Sequence, residues 1–220
     1  MAQGNSRVIT TNQTGVHDKL LELVSRYLHS QNLKPINAHT QIAFAEVCDW
    51  LDGWHGDLIL DNCCGVGAST AKIAKLYPDA RVIGIDKSAQ RVDKHAHYAI
   101  AQDNYILVRA DLNDFWRLAR KAQWQCEKQY LLYPNPYPKS TQVQKRWHGS
   151  PAFLDMLALG GALVVRSNWR LYLEEVAMVL TYLGTCSSIK EVNDAEPMTP
   201  FEAKYQNSGQ VCWELCTKRV

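Results

Sequence analysis

From residue 57 onward the apolar positions of this chain switch repeatedly between two patterns. Short unbroken apolar runs alternate with longer stretches in which apolar residues recur every three or four positions. The first pattern has the length and β-branched content of buried strands, and the second has helical spacing. The strand-like runs are DLILD (57–61), ARVIGID (80–86), NYILVRAD (104–111), QYLLYP (129–134) and GALVVRSN (161–168). Between them lie the helix-like GASTAKIAKLY, stopped by Pro78, then SAQRVDKHAHYAIA, LNDFWRLARKA and SPAFLDMLAL, with WRLYLEEVAMVLTYL after the fifth strand. Strands alternating with helices predict an α/β fold whose mostly parallel sheet is covered on both faces. Two late runs, CSSIKEV and QVCWELCTKR, have no long helix between them, so they predict an antiparallel C-terminal edge of a seven-stranded sheet.

The chain upstream reads differently. Residues 1–16 are polar and are expected to form a mobile tail. Leu20, Leu21, Val24, Tyr27 and Leu28 recur at helical spacing from Asp18, and a second helix over 39–51 carries Ile42, Phe44, Val47 and Leu51. These two helices predict an N-terminal cap, residues 17–55, on a main domain spanning 56–220.

Composition adds limits rather than direction. With 220 residues, 46% hydrophobic and 21% charged, the chain has the make-up of one globular α/β domain. It has no apolar run near the roughly 20 residues that span a bilayer. Its polar opening lacks a signal-peptide core, so a cytoplasmic location without membrane contact is expected. Seven cysteines are present without a Cys-x-x-Cys pair, which fits reduced thiols and argues against a zinc site. Net charge is only +2. Locally, however, Lys139, Lys145, Arg146 and His148 cluster, and Arg166 and Arg170 follow, which reads either as a nucleic-acid face or as a solvated basic surface.

The candidate chemistry sits at strand ends. The first strand runs into LILDNCCGVGAST, where Gly65 and Gly67 let backbone approach a ligand. The second strand ends at Asp86, placed to accept from ribose hydroxyls, and the third at Asp111, placed to address an adenine amine. Each acid alone could be a helix cap; in order on successive strands they outline an adenosine site. Thr70 stands where a dinucleotide fingerprint wants a third small residue, and Asp61 opens the turn with an acid suited to an ammonium group. Both features favour S-adenosylmethionine over a nicotinamide dinucleotide. After the fourth strand, YPNPYPK sets an amide, an aromatic ring and an ammonium in a rigid turn: Asn135, Tyr137 and Lys139. The bland alternative is a strand terminator.

Four stretches together resemble the bacterial tRNA guanine-N7 methyltransferases, a family with the Rossmann-like class I methyltransferase fold. They are LILDNCCGVGAST with VIGID, YPNPYPK, RSNWRLYLEEV and PMTPFEAKY, and the resemblance extends over residues 57–218. It implies S-adenosylmethionine held by Asp61, Asp86 and Asp111, with Cys63, Gly65, Gly67, Lys87, Leu112 and Asn135 around it. It implies tRNA or another structured RNA as partner, met by Tyr137, Lys139, Asn168, Thr199 and Glu202. Asn135 would sit at the methyl-transfer point, no metal would be needed, and the protein would work as a monomer or homodimer.

Three departures stand out. Asn135 and Asn168 occupy positions where that family carries acids, and Cys63 occupies the first glycine of the cofactor turn. An Asp only accepts hydrogen bonds, whereas an Asn both donates and accepts. The sequence therefore leaves open a methyltransferase of different specificity, since NPY also resembles the Asn-Pro-Pro-Tyr turn of amine methyltransferases. It leaves open, too, a non-catalytic RNA-binding relative.

Overall fold

The computed structural model describes residues 6–30 and 32–218. Seven strands form one sheet: β1 (Leu58–Asn62), β2 (Arg81–Asp86), β3 (Tyr105–Arg109), β4 (Lys128–Leu132), β5 (Ala162–Ser167), β6 (Ser187–Glu191) and β7 (Trp213–Thr217). Their order across the sheet is β3-β2-β1-β4-β5-β7-β6. The first five run parallel, with Asp61 beside both Gly84 and Tyr130, and Asp86 beside Arg109. β7 inserts antiparallel between β5 and β6. The α/β class and the antiparallel edge are thus as the apolar pattern predicts. Strand order reverses between β1 and β4, and this crevice at the carboxyl ends of the strands is where open α/β sheets take ligands.

The central strands β1, β2, β4 and β5 are buried on both sides because each side is covered. Leu60, Ile83, Ile85, Leu131 and Val165 belong to one core, which they share with Leu20, Leu23, Val24, Val47, Phe115, Trp116, Met156 and Leu173. Their strand neighbours Ile59, Val82, Leu132 and Val164 turn to the other face and pack with Ile73 and Ala74. The layers are α1 (Leu20–Leu28), α2 (Ala38–Trp50), α5 (Leu112–Lys121), α6 (Ala152–Leu157) and α7 (Arg170–Tyr182) around the first core, and α3 (Ala68–Leu76) on the second.

Several local expectations need correction. The stretch from Ser88 forms only a single turn of helix, α4 (Ala89–Val92), and a 3-10 turn over Asp93–His97. None of those nine residues is buried, so no apolar face holds a longer helix together. Between β6 and β7, where no long helix is expected, there is only the short α8 (Pro200–Asn207); Thr199 caps it and Pro200 opens it. In α2 the buried face is Thr40, Ala43 and Val47, while Ile42 is 70% exposed. Phe44 sets that face by packing against Phe115 and Trp124.

Residues 1–5 lie outside the described part of the expected tail. The remainder, 6–16, is tied across the molecule: Ser6 N donates to Ser208, Thr11 to the Pro138 carbonyl, and Gln13 to Glu175. Among the described residues no helix is long and apolar enough to cross a membrane. All seven cysteines are free thiols.

Candidate active site at the strand switch

A cleft of about 700 Å³ opens at the carboxyl ends of β1, β2, β3 and β4, a volume within the usual range for small-ligand sites. One half is formed by Cys63–Val66, Asp86–Ser88, Arg91, Tyr98 and Ala110–Asn113, and the other by Leu132–Asn135, Tyr137, Gln144, Lys145, Trp147, Ser150 and Thr199–Phe201. Of the residues singled out from sequence, Cys63, Gly65, Asp86, Lys87, Asp111, Leu112, Asn135, Tyr137 and Thr199 come together here.

Backbone strain gathers around it. Four described non-glycine residues have positive φ, and three of them line the cleft: Cys63 (61°), Tyr133 (52°) and Tyr137 (44°). Such conformations cost energy and persist where surrounding structure imposes them. Cys63 thus keeps the left-handed backbone that a glycine would adopt freely. Burial, helped by the Asp86 charge, pushes its thiol up to about 12, so it is a small neutral wall rather than a nucleophile. Gly65 (φ 61°) has open space where a Cβ would project, whereas a Cβ on Gly67 would meet Leu107 at 2.2 Å and His95 at 2.6 Å. Gly67 is therefore required by packing as well as by its turn.

The three acids have different duties. Asp86 closes the turn: its Oδ2 accepts from Gly65 N (3.1 Å) and its Oδ1 from Ser88 N (2.8 Å), while Arg91 stands 3.6 Å away. Asp111 caps α5, its Oδ1 accepting from Asn113 N at 2.9 Å, yet it remains on the cleft wall. Asp61 is fully buried beneath the floor. Its Oδ2 accepts from Ser69 (2.6 Å) and Thr70 (2.7 Å), and its Oδ1 has no partner. Burial is the main reason its carboxyl is raised to about 6; the two hydroxyls oppose the rise and Asp86 adds to it. Thr70, which breaks the dinucleotide pattern, is thus a partner of Asp61.

On the opposite half, Asn135 is exposed and its Oδ1 accepts from Tyr137 N at 3.3 Å. The turn is held from beneath by Arg146, which is wholly buried, as is His148. Arg146 pairs with Glu175, and His148 Nε2 lies 2.8 Å from the same carboxylate. Burial disfavours that carboxylate, but the partners His148, Gln13 and Arg146 bring it down to about 2. Arg166 is buried in a second network with Glu202, Glu214 and Asp194. The basic-face reading therefore fails for Arg146, His148 and Arg166: the two guanidiniums are paired inside the protein, and burial holds the His148 imidazole toward its neutral form. Lys87, Arg91 and Lys145 are the cations on the cleft wall; Arg91, without any motif around it, was not legible in the sequence.

Three expected site residues stand outside the cleft wall, besides Asp61 and Gly67 beneath the turn. Lys139 is exposed beside it, Asn168 donates to Gln210 (2.8 Å), and Glu202 is buried against Arg166 at 3.0 and 3.2 Å. Asn168 and Glu202 thus have partners within the protein. Gly67 is the N-cap of α3.

Residues 55–215 match the model of the family described as "Putative methyltransferase". The chain belongs to that family. Among curated relatives, the tRNA (guanine-N(7)-)-methyltransferase of Aeromonas hydrophila subsp. hydrophila is 27% identical over 183 residues, covering 77% of this chain and 76% of that protein. The enzyme of the same name from Salmonella typhi is 23% identical over 182 residues, covering 77% and 75%. Among solved structures, the 16S rRNA methyltransferase KamB superposes with a TM-score of 0.58 at 17% identity, over 86% of this chain and 97% of that one. That likeness bears on the fold alone, and it places this methyltransferase with the Rossmann-like class I architecture.

Proposed function

We propose that this methyltransferase uses S-adenosylmethionine to methylate tRNA, at N7 of guanine, in the cytoplasm. The observation that carries the reading is the single cleft in which the strand-end acids Asp86 and Asp111 face the strained turn of Asn135 and Tyr137. The names of the curated relatives support tRNA and guanine N7.

The residues present fit the cofactor. Asp86 is oriented by two backbone N–H groups and keeps lone pairs for ribose hydroxyls, while Gly65 leaves the space above the turn open. Asp111 and Leu112 border the place of an adenine ring, and Asp61 supplies negative charge under the floor for an ammonium group. When bound, S-adenosylmethionine supplies an electrophilic methyl group on a sulfonium. A ring-nitrogen lone pair needs no general base, so the protein's own work is alignment and exclusion of water. Leu132, Tyr133, Pro134 and Trp147 give the substrate half its apolar wall. Lys87, Arg91 and Lys145 offer cations for phosphates, and Lys139, Thr199, Asn168 and Glu202 extend the substrate side as contacts or supports. The Asn135 Oδ1 accepts from Tyr137 N at 3.3 Å, which orients the amide within the turn.

Calorimetric titration tests the cofactor assignment. The wild type should bind S-adenosylmethionine, and Asp86→Ala should lose about 1.5–3 kcal/mol for charge-assisted hydrogen bonds. Equal affinity in both would overturn it.

A further inference from the structure

Two large side chains on the cleft wall are substantially exposed, Tyr98 at 39% and Phe201 at 46%. Phe201 is on the substrate half, second residue of α8, and everything around it is anchored. Thr199 Oγ1 accepts from Glu202 N at 3.0 Å. Glu202 is fixed by both oxygens to Arg166, which also holds Glu214 and Asp194. Upstream, Lys72 Nζ donates to the Pro197 carbonyl at 2.7 Å. The Phe201 ring lies 6.4 Å from Tyr205 at 27°, and Tyr205 lies 5.5 Å from Tyr133 in the strained turn. A buried ion-pair network thus presents one aromatic ring at the cleft, one side backed by Tyr205 and the rest in solvent.

We infer that Phe201 is the platform on which the nucleobase entering the cleft stacks. This rests on the RNA reading above and assigns the base contact to a residue between Thr199 and Glu202 rather than to either of them. A base drawn out of its own stack loses contact on both faces, and an aromatic ring restores one without demanding a sequence. The Arg166–Glu202 pair acts through Phe201, as a positioning device.

The test compares Phe201→Ala and Phe201→Trp with wild type. Because the ring is exposed and lies on the substrate half, both variants should keep wild-type melting temperature and S-adenosylmethionine affinity. Phe201→Ala should lower kcat/KM for tRNA about 5- to 100-fold, the range for loss of one stacked base, while Phe201→Trp should restore it. Fluorescence anisotropy of a labelled unstructured RNA gives a second readout independent of methyl transfer, and the same ordering is expected there. A wild type that binds this RNA in the expected order but does not methylate tRNA would overturn the function proposed above and leave the stacking inference standing. Wild-type tRNA kinetics and RNA affinity in Phe201→Ala, or equal loss in Phe201→Trp, would overturn the inference itself.

Discussion

Arg146 holds Tyr137 by its backbone: Nε and Nη2 both donate to the Tyr137 carbonyl oxygen, at 3.1 and 3.0 Å. Nη2 reaches the Lys139 carbonyl as well, at 3.2 Å, and Nη1 pairs with Glu175. One buried side chain therefore sets the path of the turn that carries Asn135. Arg146→Ala should cost about 3–5 kcal/mol, because it leaves the buried Glu175 carboxylate short of its cation. Arg146→Lys keeps a charge but not the fork, so it should recover part of the stability while kcat stays low. Urea unfolding and steady-state kinetics together check this; an Arg146→Ala protein of wild-type stability would deny the clamp its role.

Asp61 makes the pH dependence of stability signed and local. Its carboxyl is raised from 3.8 to about 6, so the folded state holds that proton longer than the unfolded state does. Its contribution to stability therefore falls as pH rises from about 4 to about 6, by about 3 kcal/mol at most. Asp61→Asn removes the buried charge. It should melt higher than wild type above pH 6, lose that advantage below pH 4, and bind S-adenosylmethionine more weakly at pH 7.5. A melting-temperature difference that does not change with pH would contradict the burial origin of the shift.

RNA affinity should depend on the cations that face solvent. Lys87→Ala, Arg91→Ala and Lys145→Ala should each weaken tRNA binding and flatten its salt dependence by about one phosphate contact. Arg170→Ala is the control, since Arg170 pairs with Glu174 and stacks on Trp213 away from the cleft wall. Titrations at several salt concentrations decide. Identical slopes in all four variants would mean that this rim meets no phosphate.

The two amides that depart from the family pattern should behave differently. Asn135→Asp keeps an acceptor for Tyr137 N, so the turn should survive and any change in rate reports the base contact. An acid there can accept from the N1–H and N2–H of guanine, and activity at or above wild type is expected. Asn168→Asp loses the donor to Gln210 and should cost roughly 1 kcal/mol. Thermal melts beside methyl-transfer rates separate the two effects. A fully active Asn168→Asp protein with an unchanged melt would show that this amide supports nothing.

The sheet was readable because burial on both faces leaves unbroken apolar runs such as LILD and VIGID, and the strand-end acids were readable because they close those runs. Side-chain partners far apart in sequence were not. Nothing near Arg146 announces that Glu175, 29 residues later, will neutralise it, so a buried network looked like a basic surface. Glu202 was similarly hidden by Arg166 on another element. The PMTPFEAKY stretch led to α8 but to its two anchored residues, Thr199 and Glu202, while Phe201 between them carries no periodic signal. Ser88 to Ala101 looked helical by residue type, yet it lacks the buried face that would sustain a helix.

The most direct measurement is nucleoside mass spectrometry of unmodified tRNA incubated with the protein and S-adenosylmethionine. The account predicts 7-methylguanosine as the product, strongly reduced by Asp86→Ala. A tRNA pool with no methylated nucleoside, or with the methyl group on an exocyclic amine, would contradict it.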